Sequence, residues 1–327
     1  MKAWRTVEPG VLAESDVPVP TPGEREVLVK VEACGVCRTD LHVIDREIPE
    51  HRNGVIPGHQ VVGTVVARGS AVAQLQVGDR VGIPWLRSTC SVCVWCRQGK
   101  ENLCPNSRYT GWDADGGYAE FATVPEAFAY RLDPSVDPVV LAPLLCAGII
   151  GYRALQRANL PRGGNLGIYG FGSSAHLAAQ VAMRAGAKVF ALTRGEESKR
   201  LARNLGVEFV GDAVEPPPEP LDSAIVFAPA GAIVPFALRA TTRGGTVALA
   251  GIHMTDVPSL NYTQDLFFER DLRTVTSNTR ADGLAFLRLA RNLEICPAVR
   301  TYPATATGEA VNDLRNGRTS GSLVIVH

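Results

Sequence analysis

Cys90, Cys93, Cys96 and Cys104 follow the spacing C-x2-C-x2-C-x7-C. Gaps of two residues let successive thiolates converge on one ion. Four sulfur ligands close a tetrahedral zinc site and leave no position for a substrate, so this pattern predicts a structural zinc lobe over residues 88–106. Core thiols and a disulfide pair are the competing readings. A zinc ribbon that binds nucleic acid would surround its cysteines with basic and aromatic residues, and Arg87, Arg97 and Lys100 are too few for that.

Three further residues form a second candidate set: Cys37 in GVCRTDLH, His59 in PGHQ and Cys146 in LLCAG. Each taken alone is more often a buried structural residue. Together they make a Cys2His set with the fourth coordination position open, as a Lewis acid acting on an alcohol or carbonyl oxygen requires. Cys34 and Cys37 also form a C-x-x-C, but no thioredoxin-like βαβ pattern surrounds them.

The segment GIYGFGSSA at 167–175 contains Gly170-x-Gly172-x-x-Ala175, with Ser173 and Ser174 inside it. It closes an apolar run at 165–169 and opens a helical pattern, which is the context of a dinucleotide fingerprint. The first glycine permits the tight turn, the second lets backbone approach a pyrophosphate, and the small third residue lets helix and strand pack closely. The next apolar run, 188–192, leads into Thr193 and Arg194 where NAD enzymes usually carry an acid. A hydroxyl beside a guanidinium suits a 2′-phosphate. NADP(H) is therefore expected, with Lys199 as a helper. Glu196 and Glu197 lie nearby, and NAD(H) is the alternative.

The elements that must position these groups fall into two textures. Short apolar runs at 27–31, 61–67 and 79–83, broken by glycine and proline, predict a β-rich, barrel-like domain. After Pro138 the pattern changes. Residues 139–155 and 173–185 are apolar at helical spacing, and 165–169, 188–192, 223–228 and 246–250 read as buried parallel strands. Such alternation predicts an α/β domain with a doubly wound parallel sheet of right-handed βαβ units. The proline-rich stretch 215–220 is a loop, 322–326 is a last strand, and no internal repeat is found.

The chain has 327 residues, 46% hydrophobic and 20% charged, enough for two well-filled cores. Its 33 basic and 33 acidic residues leave no net charge to attract nucleic acid or an anionic membrane. The N-terminus lacks the apolar core of a secretory signal, and 139–150 is too short and proline-interrupted to span a bilayer. A cytoplasmic location is expected. There, eight cysteines point to metal binding rather than disulfides.

On these motifs the chain resembles the zinc-containing medium-chain alcohol dehydrogenases, over essentially its whole length. The resemblance implies a GroES-like catalytic domain at 1–147, a Rossmann domain at 148–278, and a segment at 279–327 that completes the first. It makes Cys37, His59 and Cys146 the catalytic zinc ligands and the clustered cysteines the ligands of a second zinc, two per chain. It makes Asp40 the partner that orients a ligand, Thr39 the hydroxyl that bonds the substrate oxygen, and His42 the outer end of a proton relay. Arg38 falls where a basic residue meets the cofactor pyrophosphate. Trp85 matches a residue that narrows the substrate pocket, a core aromatic being the competing reading. His253 reads equally as a neighbour of the nicotinamide or as a surface residue.

The chain departs from the family pattern twice. Gln60 replaces the glutamate that usually follows the zinc histidine, and Ile150 stands where relatives often have threonine. The expected reaction is hydride transfer between NADP(H) and a primary alcohol or aldehyde, in a homodimer or homotetramer. Alternatives are a polyol or formaldehyde dehydrogenase, a zinc-free quinone or enoyl reductase of the same fold, and a zinc-stabilised binding protein without activity.

Overall fold

Val27, Val29, Val31 and Ala33 alternate along one segment and are at most 2% exposed. Alternation of β-branched residues on a buried face favours a strand. In a computed structural model of the chain, which describes residues 1–327, this strand runs Glu26–Val36 and is longer than the apolar run at 27–31. It pairs antiparallel with three others, Ser322–Val326, Val61–Arg68 and Phe121–Pro125. Around it grows a seven-stranded sheet in the order Val299–Pro303, Ser322–Val326, Glu26–Val36, Val61–Arg68, Arg80–Ile83, Tyr130–Arg131, with Phe121–Pro125 joined to the central strand. The register sets Cys34 opposite Val61. Cys37 and His59 thus leave the same end of two adjacent strands, three and two residues beyond a paired position.

The chain divides into two compact units. The first holds Met1–Cys146, Ser277–Leu284 and Ala298–His327; the second holds Ala147–Thr276 and Ala285–Pro297. The sequence reading assigned all of 279–327 to the first unit. Ala285–Pro297 instead packs with the second. Phe286 is fully buried against Gly148, where an added Cβ would lie 2.3 Å from its ring, and Gln180 bonds the backbone of Cys296 at 2.9 and 3.1 Å.

The second unit is built on a six-stranded, all-parallel sheet. Its order is Phe209–Gly211, Lys188–Leu192, Asn165–Tyr169, Leu221–Val226, Thr241–Leu249, Asp271–Thr274. Numbered within the unit this is 3-2-1-4-5-6, the doubly wound order whose reversal lies beside the first strand. The runs expected at 223–228 and 246–250 are strands that begin earlier, at Leu221 and Thr241.

One expected helix is not continuous. Residues 139–155 form a helix at Pro138–Leu141, a 3-10 turn at Ala142–Leu145 and a second helix at Ala147–Ala158. Pro143 cannot donate a helical hydrogen bond, and Cys146 takes non-helical angles of φ −132° and ψ −67°. No single helix is long and apolar enough to cross a membrane.

The returning segment is tied to the cysteine-rich lobe through Arg280. Its guanidinium donates to both carboxylate oxygens of Glu101 at 2.7–3.0 Å, its backbone N–H donates to the same group at 2.7 Å, and it stacks over Phe128 at 4.4 Å. Burial would raise the Glu101 carboxyl, but Arg280 outweighs it and holds the group below its ordinary 4.5. Arg280→Ala should destabilise the first unit by about 2 kcal/mol, the scale of a lost charged hydrogen-bond pair. Because the folded carboxyl is depressed, this stabilisation is present above the unfolded value and is lost as pH falls below 4.5. Urea melts of wild type and variant should differ at pH 7 and converge in acid. Equal stability at pH 7 would contradict this assignment.

Candidate active site and metal centres

Asp40 organises the first site. It is the third residue of the Arg38–Ile44 helix, and its Oδ2 accepts the backbone N–H of Cys37 at 2.8 Å in a capping-box arrangement. The same oxygen accepts the Tyr118 hydroxyl at 2.9 Å, while Oδ1 accepts the Gly58 N–H at 3.2 Å and faces His59 Nδ1 at 3.0 Å. Four donors satisfy a carboxylate that is 1% exposed. Gly58 is required beside it, since φ is +94° and a Cβ would fall 2.5 Å from the Tyr118 ring.

His59 is fully buried. Nδ1 faces Asp40, and Nε2, the nitrogen left on the far side of the ring, is buried with no hydrogen-bond partner. Cys146 leaves the 3-10 turn beside it. The Cys37 and Cys146 sulfurs and a His59 ring nitrogen all lie within 4.8 Å of one another. Contact with Cys146 pushes the Cys37 thiol well below its ordinary value, and the shared proton pushes Cys146 well above its own. Burial opposes a charge on His59, yet Asp40 and Cys37 raise the imidazole to about 10. Soft donors, an orphaned imidazole nitrogen and a field that calls for positive charge all fit a tetrahedral zinc with one open position.

The neighbouring candidates are grouped as the motif spacing requires. Thr39 is 6% exposed with Oγ1 3.6 Å from Cys37 Sγ, and His42 is buried one turn on, paired with Glu47. Arg38 is exposed. The Gln60 side chain is buried over the backbone of Gly35, where its Oε1 stands 2.8 Å from the position of a Cβ. Trp85 meets the His59 ring edge-on at 4.8 Å and stacks on Tyr109 at 4.8 Å and Trp112 at 6.0 Å. Tyr109 and Trp112 escaped the sequence reading, although both follow the cysteine lobe in RYTGW, a polar stretch with two aromatics.

In the lobe, Cys93 and Cys96 approach to 3.5 Å between sulfurs, as do Cys90 and Cys104. All four sulfurs lie within 4.8 Å of one another and none is in a disulfide. Bonds of ~2.3 Å to a shared tetrahedral ion would space them about 3.8 Å apart, so the set fits a closed S4 site. The N–H groups of Val92 and Cys93 hold the Cys90 thiol down to about 6, in keeping with a thiolate ligand.

In the second unit, Gly170 has φ +85° and a Cβ there would lie 2.8 Å from the Ala228 nitrogen. Gly172 faces open space at the start of the Ser173–Arg184 helix, and Ala175 is buried beneath it. Ser173 and Ser174 form the first turn of that helix, and the N-terminal end of a helix favours an anion. Thr193 is 4% exposed and its hydroxyl accepts the Phe171 N–H at 3.2 Å, bracing the glycine loop. Lys199 pairs with Asp212 at 2.9 Å. Arg194 is exposed and enters no ion pair of the chain. His253 is exposed.

Residues 23–134 match the alcohol dehydrogenase GroES-like domain. The whole chain is 54% identical to a Mycobacterium tuberculosis protein described as "Probable alcohol dehydrogenase AdhA", covering 97% of it. Acetophenone reductase from Geotrichum candidum, solved with NAD, superposes with a TM-score of 0.90 at 26% identity over 100% of this chain and 97% of that one. A cobalt- and zinc-bound alcohol dehydrogenase from Pyrobaculum aerophilum gives 0.90 at 25% identity, covering 100% and 99%. With its motifs, fold and relatives in agreement, the chain belongs to the zinc-type medium-chain alcohol dehydrogenase family, a GroES-like domain joined to a Rossmann domain.

Proposed function

We propose that this enzyme interconverts primary alcohols and aldehydes with NADP(H), using one catalytic and one structural zinc per chain. The observation that carries the reading is the buried, unpartnered Nε2 of His59 beside two thiols. Cys37, His59 and Cys146 would hold the first zinc, and Cys90, Cys93, Cys96 and Cys104 the second. Zinc in the first site supplies Lewis acidity that favours the anionic form of the substrate oxygen near neutral pH, and the nicotinamide supplies or accepts the hydride.

The chain's own groups do the rest. Asp40 keeps the His59 proton on Nδ1 and so presents Nε2. Thr39 orients the substrate hydroxyl and receives its proton, and His42 carries that proton outward. Trp85 borders the site through its contact with His59 and would narrow it toward unbranched or planar substrates. Gly170, Gly172, Ser173, Ser174 and Ala175 would receive the pyrophosphate. Gln60 keeps the space of the usual glutamate without its charge.

Cofactor choice rests on Arg194. Thr193 is engaged with Phe171 and Lys199 with Asp212, which leaves the Arg194 guanidinium as the group suited to a 2′-phosphate. The subunit is proposed to form homo-oligomers, since Tyr262, Phe267 and Leu272 are exposed near the outermost strand of the parallel sheet.

Metal analysis of the purified protein should find about two zinc ions per chain. His59→Ala should retain one and lose at least a thousandfold in kcat, with NADPH binding intact by fluorescence titration. A His59→Ala variant that keeps most of its activity would sink the catalytic-zinc assignment.

With small aldehydes, NADPH should outperform NADH in kcat/KM. Arg194→Ala should raise the KM for NADPH about tenfold, the cost of one charged hydrogen bond at about 1.4 kcal/mol, and leave NADH unchanged. A wild-type preference for NADH would discard the phosphate site while keeping the enzyme.

A further inference from the structure

His42 is 6% exposed in its side chain, yet its Nδ1 is paired with the carboxylate of Glu47, which is 46% exposed. A solvated ion pair would join two exposed side chains and contribute little. This one joins a buried ring to the surface. Glu47 lies just past the end of the Arg38–Ile44 helix, where its N–H donates to the His42 carbonyl at 3.0 Å, so backbone and side chain grip the same residue. Thr39 and His42 stand three positions apart on that helix and share a face. From Cys37 the order is Thr39, His42, Glu47, solvent.

We infer that Glu47 is a positioning residue for proton transfer: it holds the His42 ring and balances its charge at the outer end of the path. The inference rests on the reading of Thr39 and His42 as a relay. In alcohol oxidation one proton enters the imidazole at Nε2, the nitrogen Glu47 does not occupy. One proton leaves at Nδ1 to the Glu47 carboxylate and then to water, and the ring changes tautomer until exchange with solvent restores it. In aldehyde reduction the direction reverses. The other charged groups around this helix are engaged elsewhere: Asp40 by His59, Asp45 by Arg315 of the packed Thr307–Arg315 helix, and Arg46 by Glu50 at 3.3 Å. Arg38, at the far end of the helix, is exposed. Glu47 is thus the carboxylate that faces His42.

Removing the Glu47 carboxylate takes away the group that exchanges the Nδ1 proton, so in Glu47→Gln oxidation of benzyl alcohol should lose severalfold in kcat with KM unchanged, and the solvent isotope effect on kcat should rise. Reduction of benzaldehyde at pH 7 should lose severalfold in kcat with KM unchanged. Glu47→Asp should restore both, and in a His42→Ala background Glu47→Gln should change neither. Zinc content and melting temperature serve as controls. An unchanged kcat in Glu47→Gln, or the same loss with His42 absent, would overturn the inference. Wild-type activity indifferent to His42→Ala would instead overturn the relay on which it rests.

Discussion

A single buried carboxylate organises the first site. Asp40 binds the start of its own helix, the loop before the Val61–Arg68 strand, and the hydroxyl of Tyr118 from a third segment. A charge removed from water is costly unless every lone pair is met. Here four donors meet it, and each donor is held in place by the same bonds. Removing Asp40 would release the His59 tautomer, the approach of Gly58 and the helix cap together. The arrangement is local in its chemistry and long-range in sequence, for Tyr118 is 78 residues from Asp40.

The two cysteine sites use the same sulfur chemistry with opposite outcomes. In the lobe, four thiols lie within 15 residues and the backbone N–H groups of the same loop turn toward them. Under the proposed reading this ligand set is complete, and an ion there would stiffen the loop that Arg280 and Glu101 attach to the rest of the unit. At the first site the ligands come from three distant segments and number three. Under the proposed reading the incomplete shell is what would admit substrate. Burial differs accordingly: His59 and Cys146 are enclosed, whereas three of the lobe cysteines are partly exposed.

The cofactor loop follows from backbone freedom more than from side chains. Gly170 adopts a positive φ against Ala228 and Gly172 keeps a face open, both consequences of a missing Cβ. Thr193 makes a contact that its position did not suggest. Its hydroxyl supports the loop from the neighbouring strand, a second contact that no spacing rule contains. Lys199 likewise pairs with Asp212, a contact between two segments.

Much of this molecule was legible in its residues. Short-range spacing determined the four-cysteine set, the glycine fingerprint and the alternation of strands and helices in the second unit, because those features depend on neighbours within a few residues or on one repeating period. The ligand set of the first site was legible as three motifs, without the geometry that joins them. Tertiary structure alone decided the rest. The register of Cys34 on Val61 brings Cys37 to His59, and the break at Cys146 turns a thiol out of an apparently continuous helix. Trp85, Tyr109 and Trp112 became one stack, and Glu47 became the partner of a buried histidine. These are contacts between side chains whose neighbours are chosen by packing. A one-dimensional pattern records which groups are present; only the folded chain determines which of them meet.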